Sequence, residues 1–323
     1  MPQRFPSPTR RLTTAILANL PLAAALTFAA APHSVQAKTT ASAGAASVPT
    51  LYTTVNGAKV AYRRMGPEGG VPLVMLNRFR GTMDEWDPAF IDHVAQRRQV
   101  IIFDNIGVAR SDGDAPASLT GWAGNAAAFM AALGISEADV LGFSFGGLVA
   151  QELALTFPGI VRRLLIVGSG AGYVEGANLQ PKALEIATKP VNVDEDFLYL
   201  FFKNTPTSQA AGRAHLARLR QRTDAFAKLV SEKAWHAMLA AGSDVGTPAK
   251  SLLTRAHRIR HPVLIANGVE DVMIPTVQSF ALAQVIPNAR LIIYPDSGHA
   301  FLFQYPQVFG DEVIRFLDDG AQL

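Results

Sequence analysis

Ser144 lies between two phenylalanines in the stretch LGFSFGG, residues 141–147. The glycines on either side need a reason, because glycine inside a strand loses entropy and packs nothing. The pattern G-x-S-x-G follows an apolar run, ADVLGF at 138–143, and precedes a helix-period run, GLVAQELALTF. That is the setting of a sharp strand-to-helix turn that lifts a serine hydroxyl above a sheet. The same turn aims the next backbone N–H, that of Phe145, at the same point, from a helix start where amides are unpaired and negative charge is favoured. A serine hydroxyl is a poor nucleophile until a base takes its proton and an acid orients that base. Downstream, His299 sits in PDSGHAFLFQYP, just after the apolar run ARLIIY at 289–294. Of the seven histidines it is the one at the carboxyl end of an expected strand, where open α/β sheets build their sites. The acid is read as Asp271, in ANGVEDVMIP directly after the run PVLIAN, with adjacent Glu270 as the alternative. Ser144, Asp271 and His299 together would carry out acyl transfer through the serine.

The elements that must hold these three residues are short apolar runs separated by helix-period segments. LYTTV, Asn56-Gly57 and AKVAYRR form a hairpin signal, since Asn-Gly supplies the positive-φ pair of a tight primed turn. Then come PLVML (72–76), QVIIF (99–103), ADVLGF (138–143), VRRLLIVG (161–168), PVLIAN (262–267) and ARLIIY (289–294). Runs of this length, bounded by Gly, Pro, Asp or Asn, predict a mostly parallel sheet covered by helices on both faces. The stretch 169–255 is too long for one crossover and carries helical segments at 194–203, 210–222 and 231–242, so it is expected to form a helical cap over a pocket. The core is therefore expected in two parts, 49–168 and 256–323. Phe197 to Phe202 (FLYLFF) is a candidate apolar lining, with ordinary core packing the alternative. Arg213, Arg218, Arg220 and Arg222 are expected on the wet side of a cap helix. His257 and His261 lack a third ligand, so no metal site is expected.

The order Ser144, Asp271, His299 on alternating strands and helices, with a helical insertion after LLIVG, resembles the α/β-hydrolase fold superfamily. The resemblance runs from about Leu51 to Leu317. It extends to G-x-x-D-x-x-x-P at Gly268–Pro275, to Ser297-Gly298-His299 with Gln304-x-Pro306, and to DNIGVARSDG, where Ala109 replaces a frequent glycine. It implies a Ser-Asp-His triad. It further implies an oxyanion hole made by the backbone N–H groups of Phe145 and of a residue after the third strand. There the text is LNRFRGTMDEW, with Asn77-Arg78 in place of the usual His-Gly, and alignment on the strand end makes Phe79 the second donor. Arg78 and Arg80 are candidates to meet an acidic group of the substrate; pairing with Asp84, Glu85 or Asp87 is the alternative.

The chain begins with Arg4, Arg10 and Arg11, continues through an apolar run at about 12–31 and reaches A-x-A-like endings at Ala37 and Ala43. This is read as a signal peptide (1–37) that is removed, with an uncleaved membrane anchor the alternative, followed by a small polar linker (38–48), and it predicts a periplasmic or secreted protein with no stable membrane anchor. Removal of three of the 29 basic residues leaves 26, against 26 acidic ones, so no nucleic-acid partner is expected. With no cysteine, stability must come from the core. The expected activity is hydrolysis of a small carboxylic ester or lactone, a small-molecule substrate, with neither metal nor organic cofactor. The alternatives are a cofactor-free perhydrolase or haloperoxidase-like enzyme using the same triad, and a non-catalytic binding member of the fold.

Overall fold

The computed structural model describes residues 44–177 and 179–318; the signal-peptide reading of 1–37 and the first part of the linker lie outside the described residues. Eight strands form one sheet: β1 (Leu51–Val55), β2 (Ala58–Met65), β3 (Leu73–Leu76), β4 (Val100–Phe103), β5 (Ala138–Phe143), β6 (Val161–Val167), β7 (Val263–Gly268) and β8 (Ala289–Tyr294). Their spatial order is β1-β2-β4-β3-β5-β6-β7-β8. The pairs β1·β2 and β2·β4 are antiparallel, and every other pair is parallel. Asn56 and Gly57 take φ values of 50° and 82° in the turn between β1 and β2, as the hairpin signal requires.

The inner strands are mostly apolar because both of their faces are covered. Alternate residues go to opposite layers. Leu73, Met75, Val100 and Ile102 pack with Phe90 of α1 (Pro88–Ala95) on one face. Val74, Ile101, Val140 and Ile166 pack with α2 (Leu119–Ala132) and α3 (Phe145–Thr156) on the other. Burying each such side chain is worth about 1.5–3 kcal/mol, enough to specify which face of every strand is which.

Between β6 and β7 run α4 (Pro181–Ala187), α5 (Asp194–Phe201), α6 (Pro206–Leu219), α7 (Glu232–Asp244) and α8 (Leu253–Ala256). The helices α9 (Thr276–Val285), α10 (Phe301–Gln304) and α11 (Pro306–Asp318) complete the chain. No helix among the described residues is long and apolar enough to cross a membrane.

Two expectations are corrected here. The end of the supposed linker is packed: Ala45 and Val48 are buried, Ala45 N–H donates to Asp92 Oδ1 at 2.7 Å, and Arg222 Nη1 donates to the Val48 carbonyl at 2.8 Å. The cap arginines are not uniformly wet. Arg213 is exposed and Arg220 makes an exposed pair with Asp194, but Arg218 turns inward to buried Asp87 with bonds of 2.8 and 2.6 Å. Arg222 likewise turns inward, to the backbone of the 45–48 segment.

Candidate active site

Ser144 links β5 to α3 with φ 56° and ψ −118°, a strained conformation for a residue with a side chain. The flanking glycines are explained by backbone packing. A Cβ on Gly142 would overlap the Gly146 carbonyl, and one on Gly146 would overlap the Leu76 carbonyl and stand 2.8 Å from that of Asn77. The elbow is pinned from below. Ser144 N–H donates to Val167 O at 2.9 Å, and Ser169 Oγ donates to Ser144 O at 2.7 Å. A polar chain continues this support: Ser279 Oγ donates to Ser169 O at 2.9 Å, and Asn267 Nδ2 donates to Ser279 Oγ at 3.2 Å. Asn267 lies on β7, so the strand that carries the acid also supports the elbow.

His299 is buried, and its Nδ1 lies 2.7 Å from Asp271 Oδ2. Asp271 is itself fixed, because its Oδ1 accepts the N–H groups of Met273 and Ile274, each at 2.8 Å. Glu270 points away and pairs with Lys203 at the surface, so Asp271 is the partner of the histidine. The imidazole packs against Phe143 and Phe201, with ring centroids 5.0 and 5.4 Å away. The loop that carries it is held by Ala300 N–H donating to Phe201 O at 2.8 Å and by Gln304 Nε2 donating to Asp296 O at 2.7 Å. A cavity of about 330 Å³ is lined by both Ser144 and His299.

Phe145 opens α3, so its N–H is one of the unpaired amides of a helix start. Its ring packs edge-on against Trp122 at 5.2 Å, away from the cavity. Phe79 does line the cavity. It belongs to a tight turn in which Gly81 N–H donates to Arg78 O at 3.0 Å and Arg80 takes φ 55°. Asn77, where the family usually has histidine, anchors this turn: its Nδ2 donates to Phe103 O at 2.9 Å and its Oδ1 accepts Trp86 Nε1–H at 2.7 Å.

Arg78 lines the cavity but is already engaged. It pairs with Glu85, donates to Phe79 O at 2.8 Å, and stacks over Phe201 at 4.9 Å and Phe197 at 5.4 Å. Burial raises the Glu85 pKa, and Arg78 and the Thr82 N–H oppose the rise. Arg80 reaches past all the anticipated acids to the cap, donating to the carbonyls of Ala187, Lys189 and Pro190 at 3.1, 2.6 and 3.0 Å. Of the run 197–202, Phe197, Leu200, Phe201 and Phe202 line the cavity while also joining the core. In the DNIGVARSDG loop, Ala109 adopts φ 46° where glycine is frequent, and buried Asp104 accepts the N–H groups of Met83 and Arg110. That burial, opposed by the two amides, pushes the Asp104 carboxyl up to about 7.

Sequence reasoning missed Asn267, Ser169, Arg80 as a cap anchor, and His215, which lines the cavity from α6. Only the Asn77-Arg78 departure signalled that this loop is built differently. His261 bonds the Pro158 carbonyl at 3.0 Å, and no group of three or more metal-ligating side chains occurs among the described residues.

Comparison with known proteins agrees with this fold. The family model described as alpha/beta hydrolase fold matches residues 71–306. A solved α/β hydrolase fold protein from Chitinophaga pinensis is 36% identical, covers 86% of this chain and all of its own, and superposes with a TM-score of 0.80. The 2-hydroxymuconate semialdehyde hydrolase of Pseudomonas putida is 30% identical over 71% of this chain and 80% of its own. The solved N-acyl homoserine lactone degrading enzyme Est816 is 27% identical over 82% of this chain and all of its own, with a TM-score of 0.62. The chain belongs to the α/β hydrolase fold family and is a hydrolase.

Proposed function

We propose that the protein is an exported serine hydrolase that cleaves a small, uncharged carboxylic ester or lactone through an acyl-enzyme on Ser144. The observation that carries this reading is the 2.7 Å bond between His299 Nδ1 and Asp271 Oδ2, beside a strained serine elbow that opens into the same cavity. In this mechanism His299 Nε2 takes the Ser144 proton as Oγ attacks the carbonyl carbon. Asp271 holds the imidazole tautomer and stabilises the imidazolium. The amides of Phe145 and Phe79 receive the oxyanion, each worth roughly 3–4 kcal/mol of transition-state stabilisation. Collapse of the tetrahedral intermediate expels the alkoxide, which takes the proton from His299. Water, activated by the same imidazole, then releases the acid.

Two features support the substrate class. The cavity admits only a modest ligand, and Arg78, one of the cations on its wall, is already paired with Glu85, which disfavours an anionic substrate. The lactone-degrading activity of Est816 is a chemical precedent at 27% identity. Export is supported by the basic, apolar and small-residue order of the first 37 residues.

The test is hydrolysis of short-chain 4-nitrophenyl esters and γ-lactones by the mature protein and by Ser144→Ala. Loss of turnover in a folded variant is expected, and equal rates would remove the serine mechanism. Expression of the full chain in a bacterium, with mass spectrometry of the exported product, is expected to give a chain that starts at Lys38 or Gly44.

A further inference from the structure

A second aspartate–histidine pair borders the cavity through its histidine. His215, on α6, lines the same space as His299, and its Nδ1 lies 2.7 Å from Asp87 Oδ2. Asp87 is fully buried and its geometry is fixed by Ala89 N–H and by two bonds from Arg218, at 2.9, 2.8 and 2.6 Å. The His215 ring stacks on Phe303, with centroids 4.5 Å apart and planes 9° from parallel. Edge and face are thus both constrained, and the imidazole has no freedom to turn.

A carboxylate only accepts, so the proton of a neutral His215 sits on Nδ1 and faces Asp87. Its Nε2 has no hydrogen-bond partner among the described residues, and unlike the orphaned Nδ1 of His261 it is not sealed from solvent. Burial lowers the His215 pKa; Asp87 opposes that shift, while Arg218 and Arg78 add to it. The ring is therefore held neutral, with a lone pair left over. The neighbouring lining is apolar, from Phe202, Leu216, Leu219 and Phe303, apart from the Arg78 guanidinium, which is paired with Glu85. A rigid acceptor on an apolar wall rewards a ligand that brings a donor and penalises one that does not.

We propose that His215 is a specificity subsite that accepts a hydrogen bond from a neutral donor, a hydroxyl group, carried by the substrate away from its scissile carbonyl. The substrate class is then a hydroxylated ester or lactone, an inference that rests on the ester or lactone reading above. Asp87 and Arg218 are positioning residues, since they act through the imidazole. Nothing in this assignment uses His215 as a base.

The experiment compares kcat/KM for 4-nitrophenyl esters of ω-hydroxy acids of four to ten carbons with that for the unsubstituted esters. A second arm compares hexanoate monoesters of diols with hexanoates of the matching alkanols. The wild type is expected to favour one hydroxylated chain length by about tenfold, mainly through KM. His215→Phe keeps a ring to stack on Phe303 and is expected to erase that preference; His215→Gln, with an acceptor near the Nε2 position, is expected to restore part of it. Calorimetric binding of 6-hydroxyhexanamide and hexanamide to Ser144→Ala reads the same preference without turnover. A hydroxyl preference that survives in His215→Phe overturns the proposal, as does its absence from both substrate arms and from the calorimetry. Either result leaves Ser144-dependent hydrolysis standing, whereas full activity of Ser144→Ala would remove the parent reading instead.

Discussion

The Cα of Gly146 faces the carbonyl oxygen of Leu76 so closely that no β-carbon fits between them. This contact joins the elbow to the end of β3, and so sets the Phe145 amide relative to the turn that carries the Phe79 amide. Gly146→Ala must push the two apart. We expect kcat on 4-nitrophenyl acetate to fall about 10²–10³-fold, the size of losing one oxyanion donor, in protein that still unfolds cooperatively. Kinetics beside a thermal melt check this, and near-normal kcat would show that the two backbones move independently.

Ser144 holds φ 56° for the sake of its hydroxyl. Ser144→Gly relieves that strain, which is of order 1–3 kcal/mol, less the extra entropy that glycine loses on folding. The expected result is an inactive protein that is about 1 kcal/mol more stable than the wild type, while Ser144→Ala is inactive and gains nothing. Urea denaturation of the three proteins decides; equal stability of the glycine and alanine variants would mean that the elbow stores no usable strain.

Arg78 and Glu85 are a mostly buried pair at the cavity wall. Removing one partner leaves the other charge uncompensated, so Arg78→Met or Glu85→Leu alone is expected to cost about 3 kcal/mol or more, and the double variant less than the worse single. A double-mutant cycle by urea denaturation measures this. Strict additivity would mean the two side chains do not depend on each other.

Asp104 gives a pH signature. Its folded carboxyl titrates at about 7, against about 3.9 when unfolded. Between those values the folded state holds more protons than the unfolded one, so this group's contribution to stability falls as pH rises from about 4 to about 7 and is constant above. Asp104→Asn keeps an acceptor for the Met83 amide and removes the titration. The stability difference, wild type minus variant, is expected to decline across that window in urea melts; a flat difference would place the titration elsewhere.

Local signals carried much of this architecture. The run ADVLGF coincides with β5, and the other expected strands fall within a residue or two of the observed ones, because covered parallel strands are continuous apolar runs. The place after β7 is shared by Glu270 and Asp271, and only the side-chain directions separate them, Asp271 toward His299 and Glu270 toward Lys203. What the sequence hid were side chains whose partners lie far away. Arg218 and Arg222 look like solvent residues on a helix; their inward turn depends on Asp87, 131 residues distant, and on the Val48 carbonyl, 174 residues distant. His215 is an ordinary helical histidine until the fold sets Asp87 against it. The short α4 and α8 have too few turns to show a period.

The three bonds from Arg80 to the carbonyls at 187–190 have a wider consequence. They clamp the roof of the chamber to the same turn that presents the Phe79 amide. On the oxyanion role proposed for that amide, a bulky guest that lifts the roof drags it along, and an ill-fitting compound is held in a site that has been partly disarmed. Enlarging this enzyme's range by loosening its lid would accordingly blunt its reactivity, unless the arginine is released first.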